Sequence, residues 1–207
     1  MCFGRLMGEM STHQSEHSSF LYTSKNHPLF AATCKSMNLS NRLLMSCILE
    51  FASSCFPEFE TLSDEEKRTL AVKFFFTFRL IDNAYRASQQ LVNFPNRTFG
   101  GFTLWLSEKV VDDYFNDFDE QTGDIDAATK LMTQCCRKRL VGRRIIERVN
   151  PDEAEFLAVI TLIFWATNGL DSNEELIRIS EMYQGQVLAE LHAYYRSVTF
   201  CALKTMR

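Results

Sequence analysis

The stretch SDEEKRTLAVKFFFTFRLIDNAYRAS, residues 63–88, decides the fold of this chain. Ser63 is followed three residues later by Glu66, the capping-box spacing in which a hydroxyl and a carboxylate satisfy backbone N–H groups at a helix start. From Leu70 to Ile81 the segment is apolar on nearly every face, which is typical of a helix inside a protein. The sequence therefore predicts a long, buried central helix with other layers packed on both of its sides.

The composition sets the class of protein. The 207 residues are 46% hydrophobic and 23% charged, which is ordinary for a globular domain with a substantial core. A net charge of −4 argues against a cationic protein that coats DNA. Seven cysteines include no C-x-x-C pair, so we expect free thiols in a reducing compartment rather than a zinc module. No apolar run reaches the ~20 residues that cross a bilayer, so we expect an intracellular protein without membrane contact.

Further helices are expected on both sides of the central one. An earlier helix is predicted to start after Ser40 and to end before Pro57, because apolar residues recur there at helical spacing. Three later helices are predicted over about 127–149, from Asn150 as cap with Pro151 at the first helical position, and from Ser172 as cap. Residues 1–38 show no sustained periodicity, which favours a flexible N-terminal arm or linker.

A small β element is expected after the central helix. Gly100 and Gly101 form a turn signal, and the apolar residues around them partly alternate, as in a short hairpin. The predicted fold class is thus all-α with a minor β element.

Two segments carry a family likeness. Residues 48–87, ILEFASSCFPEFETLSDEEKRTLAVKFFFTFRLIDNAYRA, and residues 150–196, NPDEAEFLAVITLIFWATNGLDSNEELIRISEMYQGQVLAELHAYYR, resemble the ligand-binding domain of nuclear hormone receptors, especially the divergent receptors of nematodes. The resemblance implies a three-layer helical sandwich over 39–207, with a ligand cavity in its lower half. It also implies that the domain is truncated at the C-terminus, since the family has a dimer-face helix and a coactivator-recruiting helix after the Tyr-Tyr-Arg tail.

The resemblance also implies binding residues. Arg86 corresponds to the place where some receptors hold a ligand's oxygen with an arginine, and the alternative is that, at a helix end, it faces water or the last carbonyls. Lys73 corresponds to a basic position of the coactivator groove. The implied hydrophobic-ligand site consists of Leu43, Leu44, Cys47, Ile48, Phe51, Phe78 and Arg86, and its apolar members would be plain core residues without the resemblance.

Other basic residues have structural interpretations. Arg79 is embedded between apolar residues, and an ion pair explains it better than a ligand contact. The basic residues of 137–148 alternate with apolar ones, which favours a solvated helix face over nucleic-acid binding. No zinc module of the receptor type is present, so direct DNA binding by this chain is not expected.

These observations favour one function, leave one alternative and disfavour a third class of protein. The leading hypothesis is a nuclear receptor-like domain that binds a hydrophobic small molecule and regulates transcription in the nucleus through dimer partners or coregulators. The alternative is a ligand-independent interaction or dimerisation module. An enzyme is disfavoured, because we find no catalytic set, metal-ligand set or cofactor motif.

Overall fold

The structure is a computed structural model that describes residues 21–22, 28–117, 124–167 and 174–205. The elements, in chain order, are β1 (Leu21–Tyr22), β2 (Pro28–Ala31), α1 (Cys34–Cys55), a 3-10 helix (Pro57–Thr61), α2 (Asp64–Gln90), β3 (Thr98–Phe99), β4 (Leu104–Leu106), α3 (Glu108–Val111), α4 (Ile125–Val149), α5 (Glu153–Phe164) and α6 (Glu174–Thr205). The predicted all-α class with a small β element is confirmed.

Two compact units share these elements. The first contains the described residues up to Ile48 together with Arg79–Asn150, and the second contains Leu49–Phe78 and the described residues from Pro151 onwards. Both α1 and α2 contribute to both units, because the divisions fall within these two helices. No helix among the described residues combines the length and the apolar character needed to span a bilayer.

The central helix α2 begins where the sequence predicts. The Ser63 hydroxyl accepts a bond from the Glu66 N–H at 3.3 Å, and the Glu66 carboxylate accepts one from the Ser63 N–H at 2.9 Å. Both halves of the predicted capping box are therefore present, and they satisfy two backbone donors that the helix itself leaves unpaired.

The prediction that α2 is buried on all faces is wrong. Val72, Phe76 and Leu80 are 41%, 63% and 54% exposed. Their spacing of four residues puts them on one face of the helix. Apolar composition makes burial favourable but does not require it, since much of a folded protein's surface is apolar. The buried side of α2 is formed by Leu70, Ala71, Phe74, Phe75, Ala84 and Ala87.

A small sheet organises the first unit. Its strand order is β1-β2-β4-β3, with β2 parallel to β4 and β3 antiparallel to β4. The β3–β4 pair is the predicted hairpin, and the Gly100 N–H closes its turn on the Leu104 carbonyl at 2.7 Å. The strand β2 was not predicted, because four residues are too few to show a period.

The helix α1 starts earlier than predicted. It begins at Cys34 rather than after Ser40. The hydroxyls of Thr33 and Ser36 accept bonds from each other's backbone N–H groups at 3.3 and 2.9 Å and organise this start. Residues 28–38 of the expected arm thus form β2 and the beginning of α1, while most of the earlier residues lie outside the described ranges.

The boundary between α4 and α5 also differs from the prediction. Asn150 is not the N-cap of α5; it ends α4 in the left-handed conformation (φ 48°), with its N–H bonded to the Ile146 carbonyl. The N-cap is Asp152, which forms a capping box with Glu155. Asparagine tolerates the left-handed region, so it suits a helix end as well as a helix start. The predicted Ser172 cap of α6 lies outside the described residues.

The second unit has an aromatic core. The Phe164 ring at the end of α5 lies 5.2 Å from Phe56 and 5.1 Å from Phe74, and Trp165 stacks on Tyr183 of α6 at 4.8 Å. Edge and stacked contacts of this kind are favoured by the ring quadrupoles and add to the burial of apolar area. They join the 3-10 region, α2, α5 and α6 into one cluster.

Candidate functional site

A cleft in the first unit is the candidate site. Its volume is about 230 Å³, including the part open to solvent. It is lined by Ser40, Asn41 and Leu44 of α1, by Arg79, Asp82, Asn83 and Arg86 of α2, and by Gly101 and Phe102 of the hairpin turn. Most of the lining residues have polar side chains, but the surface that faces the cleft is mainly apolar.

The Arg86 side chain is bound to the protein itself. Its Nε donates to Asp82 at 2.8 Å, and Nη2 donates to Asn83 at 2.9 Å. Across the cleft, Nη1 donates to the Phe102 carbonyl at 2.7 Å, and Nη2 also donates to the Gly101 carbonyl at 3.1 Å. The guanidinium also lies 4.6 Å from the centre of the Phe99 ring. These bonds use four of the five N–H groups of an arginine.

This network fixes the hairpin to α2. The planar guanidinium fork of Arg86 reaches two backbone carbonyls of the hairpin turn at once, those of Gly101 and Phe102. The Asp82 carboxylate, one helical turn before Arg86, balances its charge. Arg86 therefore acts as a structural anchor in this geometry.

The other residues implied for a ligand site are spread over the chain. Leu44 lines the cleft with Arg86. Leu43 packs against the core cluster of the first unit, and Ile48 is fully buried. Cys47 is half-buried on the same helix.

Phe51 and Phe78 belong to the second unit. Phe51 contacts the rings of Phe56 and Phe164, and Phe78 stacks on Phe74 at 5.1 Å. Of the predicted ligand residues, the cleft thus brings together Leu44 and Arg86. The remaining assignments stay predictions.

Lys73 caps another helix of the second unit. Its Nζ donates to the Ala166 carbonyl just beyond α5 at 2.7 Å. Burial lowers the pKa of Lys73 below its ordinary value. A cation near this end of α5 complements the helix dipole. Its role in a coactivator groove stays a prediction.

Two arginines of α4 are not on the predicted solvated face. Arg143 is buried, and its donors reach the carbonyls of Leu91, Phe94 and Arg97 at 2.7–2.9 Å. Arg139 donates to the Phe99 carbonyl at 3.1 Å. The sequence offers one local signal for Arg143, namely Glu147 four residues later, which pairs with it at 2.7 Å. The carbonyl partners are 46–52 residues away in the chain, beyond the reach of any local pattern.

Arg79 also differs from its prediction. Its Nη2 donates to the Gly100 carbonyl at 3.2 Å, and the expected ion pair is not present among the described residues.

Comparison with known proteins decides the family. The family sequence model for the ligand-binding domain of nuclear hormone receptors matches residues 23–200, which is most of the chain. The chain belongs to the nuclear hormone receptor ligand-binding domain family. Its fold is therefore the helical sandwich of that family, whose members are generally non-enzymatic, nuclear regulators of transcription.

One relative shows how similar in sequence the chain is to a known member of the family. The chain is similar to nuclear hormone receptor family member nhr-42 of Caenorhabditis elegans, with 24% identity over 143 residues. The match covers 66% of this chain and 38% of the relative. The matched segment thus spans well under half of that receptor's length.

Proposed function

We propose that this receptor domain regulates transcription through protein contacts, and that its cleft does not hold a large hydrophobic ligand. The observation that carries the proposal is the state of Arg86. The side chain that would bind a ligand's oxygen is bonded instead to the hairpin and to its own helix.

The size and lining of the cleft support the same function. Small-molecule sites are usually ~300–1,000 Å³ and mainly apolar. The cleft is smaller than that range even with its solvent-open part, and charged side chains line one wall. A hydrophobic ligand there would have to strip water from Asp82 and Arg86 without replacing its hydrogen bonds, which is unfavourable.

An exposed apolar stripe on α4 supports protein contacts. Val141, Ile145 and Val149 are 54%, 52% and 67% exposed, and their spacing of four residues aligns them on one face. Lys138, Arg144 and Arg148 are exposed beside this stripe. The face suits a protein partner that presents an apolar helix surface edged by acidic residues.

A reporter assay tests the proposal. The chain is fused to an unrelated DNA-binding domain and expressed with a reporter gene that carries its binding site. We expect the fusion to change reporter output, and the double variant Val141→Ser/Ile145→Ser to lose most of that change. Val92→Ser is the matched control, since Val92 is 66% exposed and lies off the stripe. Equal output from the wild type and the double variant would contradict the proposed contact.

Ligand binding is the second candidate function. It is favoured by the shared position of Leu44 and Arg86 on one cleft. A fluorescent fatty acid titrated into the purified chain tests it, with Leu44→Trp as the variant that fills the cleft. Saturable binding that is lost in Leu44→Trp would favour this candidate over the ligand-independent one.

A further inference from the structure

Two neighbouring tyrosines in the second half of α6 bind the start of α5. The Tyr194 hydroxyl donates to Asp152 Oδ2 at 2.5 Å, and the Tyr195 hydroxyl donates to Glu155 Oε1 at 2.5 Å. All four residues belong to the second unit, in which α5 packs against α6. The two hydroxyls therefore tie this part of α6 to the first turn of α5, and we call the four residues the tyrosine latch.

The tyrosine latch uses both carboxylates of the α5 capping box. Asp152 accepts a bond from the Glu155 N–H at 2.9 Å, and Glu155 accepts one from the Asp152 N–H at 2.9 Å. Each carboxylate thus satisfies a backbone donor of α5 and a tyrosine hydroxyl at the same time. The bonds to Asp152 and Glu155 raise the pKa of Tyr194 and Tyr195 respectively, so both hydroxyls keep their protons at neutral pH.

The side chains around the tyrosine latch face solvent. Tyr195 is 45% exposed, and its neighbours His192, Ala193, Arg196 and Ser197 are exposed as well. A segment that buries little apolar surface opens locally at a low cost in free energy. A modifying enzyme can therefore reach the Tyr195 hydroxyl after a local opening that breaks its bond to Glu155, whereas Tyr194 is half-buried.

We propose that Tyr195 is a modification site for a tyrosine kinase, and that a phosphate on it opens the tyrosine latch. In this reaction the Tyr195 hydroxyl oxygen attacks the γ-phosphorus of a nucleoside triphosphate. The new O–P bond replaces the bond from that phosphorus to the β-phosphate oxygen, and the nucleoside diphosphate leaves. The hydroxyl proton passes to a carboxylate of the kinase.

The added charge conflicts with the position that the hydroxyl occupies. Phosphotyrosine carries about −1.5 to −2 charges at pH 7 and has no hydroxyl proton to donate, so it would meet the Glu155 carboxylate as a like charge. A helix start attracts anions through its N–H groups, but here the Asp152 and Glu155 N–H groups are already bonded to carboxylates. Repulsion therefore outweighs this attraction and releases the second half of α6 from the start of α5. The site does not depend on the α4 contact proposed above.

Kinase treatment followed by hydrogen exchange tests the proposal. The purified chain is incubated with ATP and the catalytic domain of a broad-specificity tyrosine kinase, whose activity is checked on a Glu–Tyr copolymer. Mass spectrometry of peptides should find phosphate on Tyr195 and none on Tyr114, which is 8% exposed. Amide exchange in residues 191–197 should then be ~10-fold faster or more, the effect expected when up to two negative charges are placed close to a carboxylate.

Tyr195→Phe is the matched control. It removes the same hydrogen bond without adding charge and cannot be phosphorylated, so amide exchange in residues 191–197 should rise less than in the phosphorylated wild type. Exchange in the strand β4, which lies in the first unit, should stay the same in all samples and shows that the chain remains folded. No phosphate on Tyr195 in the folded chain, or equal exchange in the phosphorylated wild type and Tyr195→Phe, would overturn the proposal.

Discussion

Replacing Arg143 with alanine tests how much one buried arginine contributes to the first unit. The side chain is 3% exposed and donates to three carbonyls of the segment after α2 and to Glu147. A buried acceptor that loses its donor costs ~1–3 kcal/mol, and removing one partner of a buried charged pair costs ~3–5 kcal/mol. Since Glu147 is 40% exposed and can be rehydrated, most of the loss comes from the carbonyls. We expect Arg143→Ala to lower the free energy of unfolding by ~3–5 kcal/mol.

Urea unfolding of the two neighbouring arginine variants measures this loss. Arg144→Ala is the matched control, because the exposed Arg144 side chain should contribute less than ~0.5 kcal/mol. Arg143→Lys should fall between the two, since an ammonium keeps the charge but cannot reach three carbonyls with one planar fork. A loss of less than ~1 kcal/mol in Arg143→Ala would refute the assignment of Arg143 as the tether of this segment.

Two further predictions concern the hairpin turn and α6. A Cβ added at Gly101 would lie 2.3 Å from Ser40 Oγ and 3.0 Å from Ser40 Cβ, so Gly101→Ala should destabilise the chain by ~1–3 kcal/mol. Thermal unfolding measures both changes. In the control Gly142→Ala, the added Cβ would lie 3.9 Å from Ala84 Cβ inside a helix, so this variant should be neutral or stabilising. Burial and a hydrogen bond to Glu58 raise the pKa of Tyr183 to about 12. Its contribution to stability is therefore complete below pH ~10, the unfolded pKa, and is lost as the pH rises towards about 12. In a tyrosinate absorbance titration Tyr183→Phe should remove one late-titrating group, and an unchanged late amplitude would show that this pairing is absent.

Local chemistry explains what the sequence could predict. The capping box of Ser63 and Glu66 needs residues three apart, and the hairpin needs the Gly100–Gly101 turn between short apolar runs, so both are visible in a short window. Asn150 lies between two helices, and the same side chain suits either helix end, so its assignment required the backbone conformation.

Partners distant in sequence explain what was missed. The carbonyls bound by Arg139 and Arg143 come from segments 40–52 residues earlier in the chain, and charge alone indicated a solvated face. The exposure of Phe76 was missed for a related reason: composition reports how apolar a helix face is, but what covers that face is decided elsewhere in the fold. The bonds from Arg86 to the hairpin carbonyls were likewise missed, because no spacing within α2 indicates them.

Native mass spectrometry of the purified chain, before and after incubation with a lipid extract, tests the central claim most directly. The claim is that the domain acts without a large hydrophobic ligand, because its cleft is small and its arginine is already bonded to the hairpin. We predict that the unliganded mass dominates in both samples. A stoichiometric complex with an apolar molecule, lost in Leu44→Trp, would contradict the claim and establish ligand binding in the cleft.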